Sequence, residues 1–186
     1  LKQLAIGLHA RHDALGGFPA ARQQIRNPAD ASNPWLHSWT PHVLPFVEQE
    51  PLFRQYRFDM NWDAGANAAV GGPLRQTLSV FLCPSAPQSG RHANRGVTDY
   101  AATTERGWPN ASLRTPAAQA TAWWGTGDPN YIGLLGHTTQ TVKAERRITD
   151  VTDGTSNTLL LAECAGRNLR YVQGKQDTSA TWNGGP

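Results

Sequence analysis

Oxygen-bearing side chains crowd into one short stretch of the chain, RRITDVTDGTSNTLLLAE at residues 146–163. Asp150, Asp153 and Asn157 carry oxygens of the kind that Ca²⁺ accepts as ligands, but their spacing differs from the alternating pattern of an EF-hand loop. The Gly-Lys-Ser/Thr ending of a phosphate-binding loop is absent. Gly154 follows an aspartate, and this pair favours a turn because glycine accepts positive φ. We therefore interpret the stretch as a structural turn that leads into an aliphatic strand, with a cation loop as the alternative.

Aromatic and histidine residues offer two weaker candidates for chemistry. Trp123 and Trp124 precede the turn-rich sequence GTGDPN, and exposed indole rings there would stack on a sugar, although tryptophan is usually largely buried. His9 and His12 lie at helical spacing, but two histidines without an obvious third ligand are weak evidence for a metal site. The sequence contains no His-Glu-x-x-His, Cys-x-x-Cys or Gly-x-Ser-x-Gly motif. We predict no enzymatic activity.

The two cysteines, Cys83 and Cys164, end the apolar runs LSVFLC and TLLLAEC. If these runs are neighbouring strands, the sulfur atoms can approach within disulfide distance. Closing a loop of about 80 residues would then stabilise the fold by roughly 4 kcal/mol. Two separate buried thiols are the alternative, since free cysteine packs well in cores. The sequence leaves both open.

An amphipathic helix is predicted at the start of the chain, in LKQLAIGLHARHDA, and Gly16-Gly17 should end it. The residues expected on its core face are Leu1, Leu4, Ala5 and Leu8. The residues expected to face water are Lys2, Gln3 and Arg11. Because the chain opens within this helix, we expect that an upstream segment has been removed.

Further helices and strands follow in that order. PHVLPFVEQEPLFRQYR predicts a second helical region that begins at Pro41 and is broken by its other prolines. A weaker third helix is predicted from about Asn67 to about Thr77. The predicted strands are LSVFLC, TDYAAT and TLLLAEC, with LRYVQG as the antiparallel neighbour of TLLLAEC. Helices before strands predict the α+β class with an antiparallel sheet.

Length and composition limit the remaining possibilities. A chain of 186 residues predicts one domain, residues 1–186, and 18 glycines with 13 prolines predict long loops. The net charge of +3 is scattered, which does not indicate a nucleic-acid partner. The chain contains no apolar run of the roughly 18 residues that a membrane helix needs.

The order of these motifs resembles one bacterial family. The opening helix, SWTPHVLPFVEQEPLFRQYRFDMNWD, FLCPS, TDYAAT, ITDVTDGTSNTLLLAE and AGRNLRYVQG occur as in the pseudopilin-like family that is expanded in planctomycetes, catalogued as domain of unknown function fifteen fifty-nine. The resemblance runs from Leu1 to about Trp182. Members typically begin with a prepilin-type cleavage and methylation segment and one apolar helix, of which LKQLAIGLHARHDA would be the end. The family often closes with a histidine followed some ten residues later by Asp-Gly near the C-terminus. Nothing before Pro186 matches this ending, so we expect either that the last strand has been cut away or that this member departs from the pattern.

The resemblance implies a pseudopilin-like α+β domain in which the N-terminal helix packs on an antiparallel sheet. It implies an exported, non-enzymatic subunit or tip component of a type II secretion or type IV pilus-like assembly, anchored in the inner membrane before assembly. Its partners would be other pilin or pseudopilin subunits, contacted through the missing anchor helix, and without that helix the chain is expected to be a monomer. A surface or periplasmic polysaccharide-binding module is the alternative. No cofactor is expected apart from the Ca²⁺ considered above.

Overall fold

The N-terminal helix forms as the sequence predicts. The computed structural model describes residues 1–86, 95–103, 133–136, 145–152, 154–164, 170–172 and 175–177. Helix α1 runs from Lys2 to Leu15. It ends at Gly16, where φ is 81° and the backbone N–H donates to the carbonyl of His12 at 2.7 Å. Glycine adopts this left-handed conformation without a steric penalty, so the helix stops there.

Short strands and short helices make up the rest of the described chain. The strands pair antiparallel as β1 (Arg22–Ile25) with β2 (Trp35–Ser38), β3 (Tyr100–Ala102) with β4 (Leu161–Glu163), and β5 (Arg170–Val172) with β6 (Lys175–Asp177). Helices α2 (Thr40–Val43), α3 (Glu50–Gln55) and α4 (Gly65–Ala68) lie between β2 and β3. Single 3₁₀ turns occupy Leu44–Val47, Pro73–Arg75, Ser79–Phe81, Ile148–Asp150 and Thr155–Asn157. The predicted α+β class is confirmed.

The core lies against the inner face of α1. Leu4 and Leu8 are fully buried, as predicted. Their helix packs mainly on α2 and on the 3₁₀ turn Leu44–Val47. Gly7 permits the close approach, because a Cβ at this position would lie 2.7 Å from Cγ1 of Val47. The other buried apolar members of the cluster include Phe18, Trp39, Val43, Phe81, Tyr100 and Leu161.

Arg11 corrects the prediction for the polar face of α1. Instead of facing water, its side chain is only 5% exposed. Its guanidinium donates to the carbonyl of Gly17 at 2.5 Å and to the two carboxylate oxygens of Glu145 at 2.7 and 3.0 Å. A bidentate, charge-assisted pair compensates for the lost hydration of a buried cation. Leu1, predicted on the core face, is instead 53% exposed.

The region rich in proline is broken as predicted. Pro41 lies in the first turn of α2, and Pro51 lies in the first turn of α3. Pro45 falls in the 3₁₀ turn between these helices. The predicted third helix, however, is wrong beyond Ala68, because the chain leaves the helix there and re-forms only a 3₁₀ turn at Pro73–Arg75.

Two strand predictions need correction. LSVFLC forms the 3₁₀ turn Ser79–Phe81 rather than a strand, and the bend carries Phe81 into the core. In TLLLAEC only Leu161–Glu163 is strand and only Leu161 is buried, while Leu159 is 71% exposed. This strand pairs with β3 and not with LRYVQG, whose strand β5 pairs with β6. The strand in TDYAAT is confirmed, whereas the β1–β2 hairpin was not predicted.

Residues 6 and 8 of α1 provide a matched test of this packing. Leu8→Asp places a charge in the core and should lower the free energy of unfolding by about 4 kcal/mol or more. Ile6→Asp should change it by less than about 0.5 kcal/mol, since Ile6 is 57% exposed. Thermal denaturation followed by circular dichroism measures both. Equal melting temperatures for Leu8→Asp and the wild type would show that this face of α1 is not packed.

Candidate functional site

A cavity of about 120 Å³ lies among the short elements that follow the first hairpin. Aromatic rings of Tyr56, Trp62 and Phe81 form part of its wall. Its polar lining comes from neutral side chains, namely Ser38, Thr40, Gln76 and Thr98, and the remaining lining residues are aliphatic, proline or glycine. Clefts that combine apolar walls with a few polar groups are the usual form of a small-molecule site.

A close backbone contact fixes one wall of the cavity. The N–H of Gly96 donates to the carbonyl of Leu74 at 2.6 Å. A Cβ at residue 96 would lie 2.1 Å from the carbonyl oxygen of Gln76, so a side chain there would force the two segments apart. Gly96 therefore allows the segment before β3 to close the cavity against residues 74–76.

Hydroxyl groups meet where β2 ends and α2 begins. The Oγ of Ser38 and the Oγ1 of Thr40 lie 2.7 Å apart, so one hydroxyl donates to the other. The proton of the accepting hydroxyl is not used in this bond. The hydroxyl of Tyr56 is hydrogen-bonded to Nδ1 of His37 at 2.8 Å, and burial raises the pKa of Tyr56. Tyr56 consequently stays protonated and neutral at physiological pH.

Two histidines lie behind Tyr56 and share one aromatic neighbour. The ring of Phe58 is 5.1 Å from that of His37 and 4.9 Å from that of His42, between centroids. Burial lowers the pKa of His42 to about 3. The positive charge of Arg11 lowers this pKa further, and the electrostatic interaction with His37 does so to a smaller extent. Burial also lowers the pKa of His37, against an opposing effect of the Phe58 backbone. Among the described residues, neither Nε2 atom has a hydrogen-bond partner, and both atoms are buried. A proton added there would have no acceptor, so the fully buried His37 and the half-buried His42 are held as neutral rings.

A buried aspartate joins three of the sequence motifs beside the cavity. The carboxylate of Asp99 accepts from the N–H of Cys83 at 2.7 Å, and its carbonyl accepts from the N–H of Cys164 at 2.7 Å. The N–H of Asp99 donates to the carbonyl of Phe81 at 2.8 Å. FLCPS, TDYAAT and TLLLAEC therefore meet at one residue that is 3% exposed.

A comparison of the whole sequence with the profiles of known protein families gives a match. The profile of one family, SBP_bac_10, described as "Protein of unknown function (DUF1559)", matches residues 1–185. The chain belongs to the DUF1559 family. This is the family that the motifs resemble. Searches of the curated proteins and of the solved structures gave no significant match.

The TDGTSNT stretch of this DUF1559 protein consists largely of turns. The carboxylate of Asp150 accepts from the N–H of Arg147 at 2.8 Å and so caps the turn Ile148–Asp150. Gly154 has a φ of 93°, which favours glycine, and its carbonyl accepts from the hydroxyl of Thr158 at 3.2 Å. These observations support the interpretation as a structural turn.

The cation alternative stays a prediction, because Asp153 lies outside the described residues. Asp150 and Asn157 are both exposed. Within the described part of the chain, no three histidine, cysteine, aspartate or glutamate residues are grouped so that they could hold a metal ion.

The other predicted site residues have different outcomes. Trp123 and Trp124 lie outside the described residues, so the glycan contact that they predict is untested. Cys83 is buried, Cys164 is half-buried, and both are free thiols in this structure. His12 accepts a hydrogen bond from the N–H of Ile148 at 3.2 Å, which agrees with the packing role favoured from the sequence.

Sequence reasoning missed the cavity and the aspartate beside it. Ser38 and Thr40 flank a tryptophan and precede Pro41, so the only available signal was a pair of hydroxyl residues at the start of a helix. Asp99 stands before the strand residues Tyr100–Ala102, where a polar residue usually indicates a turn. Trp62 was one of seven tryptophans without a distinguishing pattern.

The histidine pair predicts how stability depends on pH. Because the pKa of His42 is lowered in the folded state, the unfolded chain binds more protons between about pH 3 and 6.5. The free energy of unfolding should therefore fall as the pH drops below about 6.5, by up to about 1.4 kcal/mol per pH unit for each buried histidine. His42→Phe, which keeps an aromatic ring beside Phe58, should flatten this slope in denaturant titrations. His9→Phe, at an exposed position, should leave it unchanged.

An equal slope for His42→Phe and the wild type would contradict the neutral, buried state of His42.

Proposed function

We propose that this DUF1559 protein is a non-enzymatic subunit or tip component of a type II secretion or type IV pilus-like assembly of the cell envelope. The one-sided packing of α1 is the observation that carries the proposal. Leu4, Gly7, Leu8 and Arg11 bury one face of the helix in the domain. Ile6, on the opposite face, is 57% exposed. The buried face ties the helix to its own domain. In the proposal the opposite face contacts neighbouring subunits.

The attachment of α1 suits a helix that must hold its domain in a fixed orientation. Arg11 forms its bidentate pair with Glu145, which lies 134 residues further along the chain. The N–H of Phe18 donates to the carbonyl of Arg146 at 2.8 Å, just beyond the end of the helix. Gly7 brings the turn at Val47 against the helix axis. Breaking a buried ion pair by removing one partner is costly, so these contacts resist rotation of α1 relative to the domain.

A non-enzymatic role is supported by how the buried polar groups are used. Arg11 binds a backbone carbonyl and a carboxylate, and Asp99 binds backbone amides. Asn67 is fully buried, and its side-chain amide donates to the carbonyls of Arg57 and Asn61 while its oxygen accepts from the N–H of Arg57. Each of these groups stabilises the fold, and the proposed role requires no catalytic group.

The proposed partners are other pilin or pseudopilin subunits, in a protein that is exported and held in the inner membrane before assembly. No helix among the residues placed by the structure has the length and apolar character needed to cross a membrane. In the proposal the anchor is the apolar helix that the family resemblance places upstream of α1. Ile6 would then become covered by a neighbouring helix, and burial of apolar surface contributes about 25 cal/mol per Å².

Site-specific photo-cross-linking in cells that express the full-length gene tests this proposal. A benzoylphenylalanine at residue 6 should give adducts with further copies of the protein or with pilin-like subunits, because this face of α1 contacts neighbours. The same residue at position 70 is the matched control, since Val70 is apolar and 90% exposed but lies outside α1. Mass spectrometry of the adducts identifies the partners.

If the protein with the photo-cross-linker at residue 6 gave no adducts in cells where the assembly is present, the proposal would be contradicted. Equal yields of the same adducts at residues 6 and 70 would also contradict it, since they would show contacts that do not depend on α1.

A further inference from the structure

The cavity between β2, α3 and the segment before β3 has no part in the proposed assembly. We propose that it binds one neutral sugar ring, an activity that is independent of the assembly role. Its lining provides the two features that such a ligand requires, aromatic surface and uncharged hydrogen-bonding groups.

Aromatic side chains provide the apolar part of the site. Trp62 and Tyr56 both line the cavity, and both are half-buried. The guanidinium carbon of Arg95 lies 5.1 Å from the ring centroid of Trp62, and this cation–π contact helps to hold the indole in place. A sugar ring has a face of C–H groups that packs on such amphipathic aromatic surfaces.

Hydroxyl groups provide the polar part of the site and argue against a purely apolar ligand. Ser38 and Thr40 bond to each other, which leaves one hydroxyl proton and several lone pairs for a ligand. Thr98 already donates its hydroxyl proton to the carbonyl of Tyr100, so it can offer a ligand only an acceptor. An apolar ligand would bury these groups without partners, at a cost that the hydroxyls of a sugar avoid.

The charge and the size of the cavity restrict the kinds of ligand that it can bind. The described side chains that line the cavity are uncharged, and the guanidinium of Arg95 beside it is engaged over the ring of Trp62, so the lining suits a neutral ligand best. A cavity of about 150 Å³ accepts one benzene ring, and the present cavity of about 120 Å³ is of that order. One sugar ring therefore fits partly inside the cavity, and its remaining hydroxyls face solvent. One residue of a longer polysaccharide would bind in the same way.

Saturation-transfer NMR and calorimetry on the folded chain test the proposal. The probes are glucose, galactose, mannose and xylose as neutral sugars, glucuronate as a charged sugar, and p-cresol as an aromatic side-chain analogue. At least one neutral sugar should bind with a Kd of about 1 mM, the affinity expected for a ligand of this size. Thr40→Val and Ser38→Ala should each weaken that binding about tenfold. Thr77→Val is the matched control, because Thr77 is exposed and does not line the cavity, and it should bind as the wild type does.

Several results would overturn the proposal. The first is the absence of binding by every neutral sugar to a protein whose thermal unfolding shows it to be folded. Binding of p-cresol alone would assign the cavity to an aromatic side chain of a protein partner. Glucuronate that binds as tightly as glucose would remove the argument from charge. Sugar binding that is unchanged in both Thr40→Val and Ser38→Ala would place the sugar elsewhere on the molecule.

Discussion

The buried carboxylate of Asp99 is the constraint on which the arrangement of the domain depends. It accepts the N–H of Cys83, while the backbone of the same residue bonds to Phe81 and Cys164. A buried carboxylate that lost the Cys83 donor would carry a large desolvation cost, so the side chain holds FLCPS against the start of β3. The backbone bonds of the same residue hold Phe81 and Cys164 beside it. The same residue follows directly on Thr98, which lines the cavity, and precedes β3. The side-chain and backbone bonds of Asp99 therefore connect the start of β3, the residue after β4 and one wall of the cavity.

A second buried charge, that of Arg11, performs the corresponding task for α1. Arg11 connects α1 to Gly17 and Glu145, and Phe18 continues this contact to Arg146. The TDGTSNT stretch begins only a few residues later, so its turns are attached to the N-terminal helix. Both proposals depend on these contacts, since the outer face of α1 is useful to an assembly only if α1 is fixed, and the cavity is a site only if its walls are.

Local patterns in the sequence predicted local structure well. Leu4 and Leu8 have helical spacing and are buried. Gly16 ends the helix by adopting a left-handed conformation, which depends on the glycine alone and on no distant contact. Arg11 stands among small and polar residues, and nothing nearby indicates that its partner is Glu145. Burial of a charged side chain follows from a long-range contact, which periodicity cannot show.

The strand predictions were less successful for a related reason. Apolar runs in this chain supply single anchors to a core built of short segments, as Phe81 and Leu161 do, rather than long buried strands. The β1–β2 hairpin, in contrast, is a pair of strands that the sequence did not predict. Its strand RQQI is polar and its connection is long, so neither alternation nor a two-residue turn identifies it. The cavity was missed because its lining comes from segments scattered between residues 38 and 98, and only the tertiary fold brings them together.

Hydrogen exchange at two backbone amides tests most directly whether Asp99 organises the domain. In the wild type, the N–H groups of Cys83 and Cys164 should be among the most slowly exchanging, because both are bonded to a buried residue. Asp99→Asn, which retains an oxygen acceptor, should keep most of this protection. Asp99→Ala removes the acceptor of the Cys83 N–H and should expose that amide directly. Cys164 bonds to the backbone carbonyl of residue 99, so it should lose protection as well if the carboxylate holds that backbone in place. If Asp99→Ala left the exchange of Cys164 and the folded state unchanged, Asp99 would not be the residue that holds these motifs together.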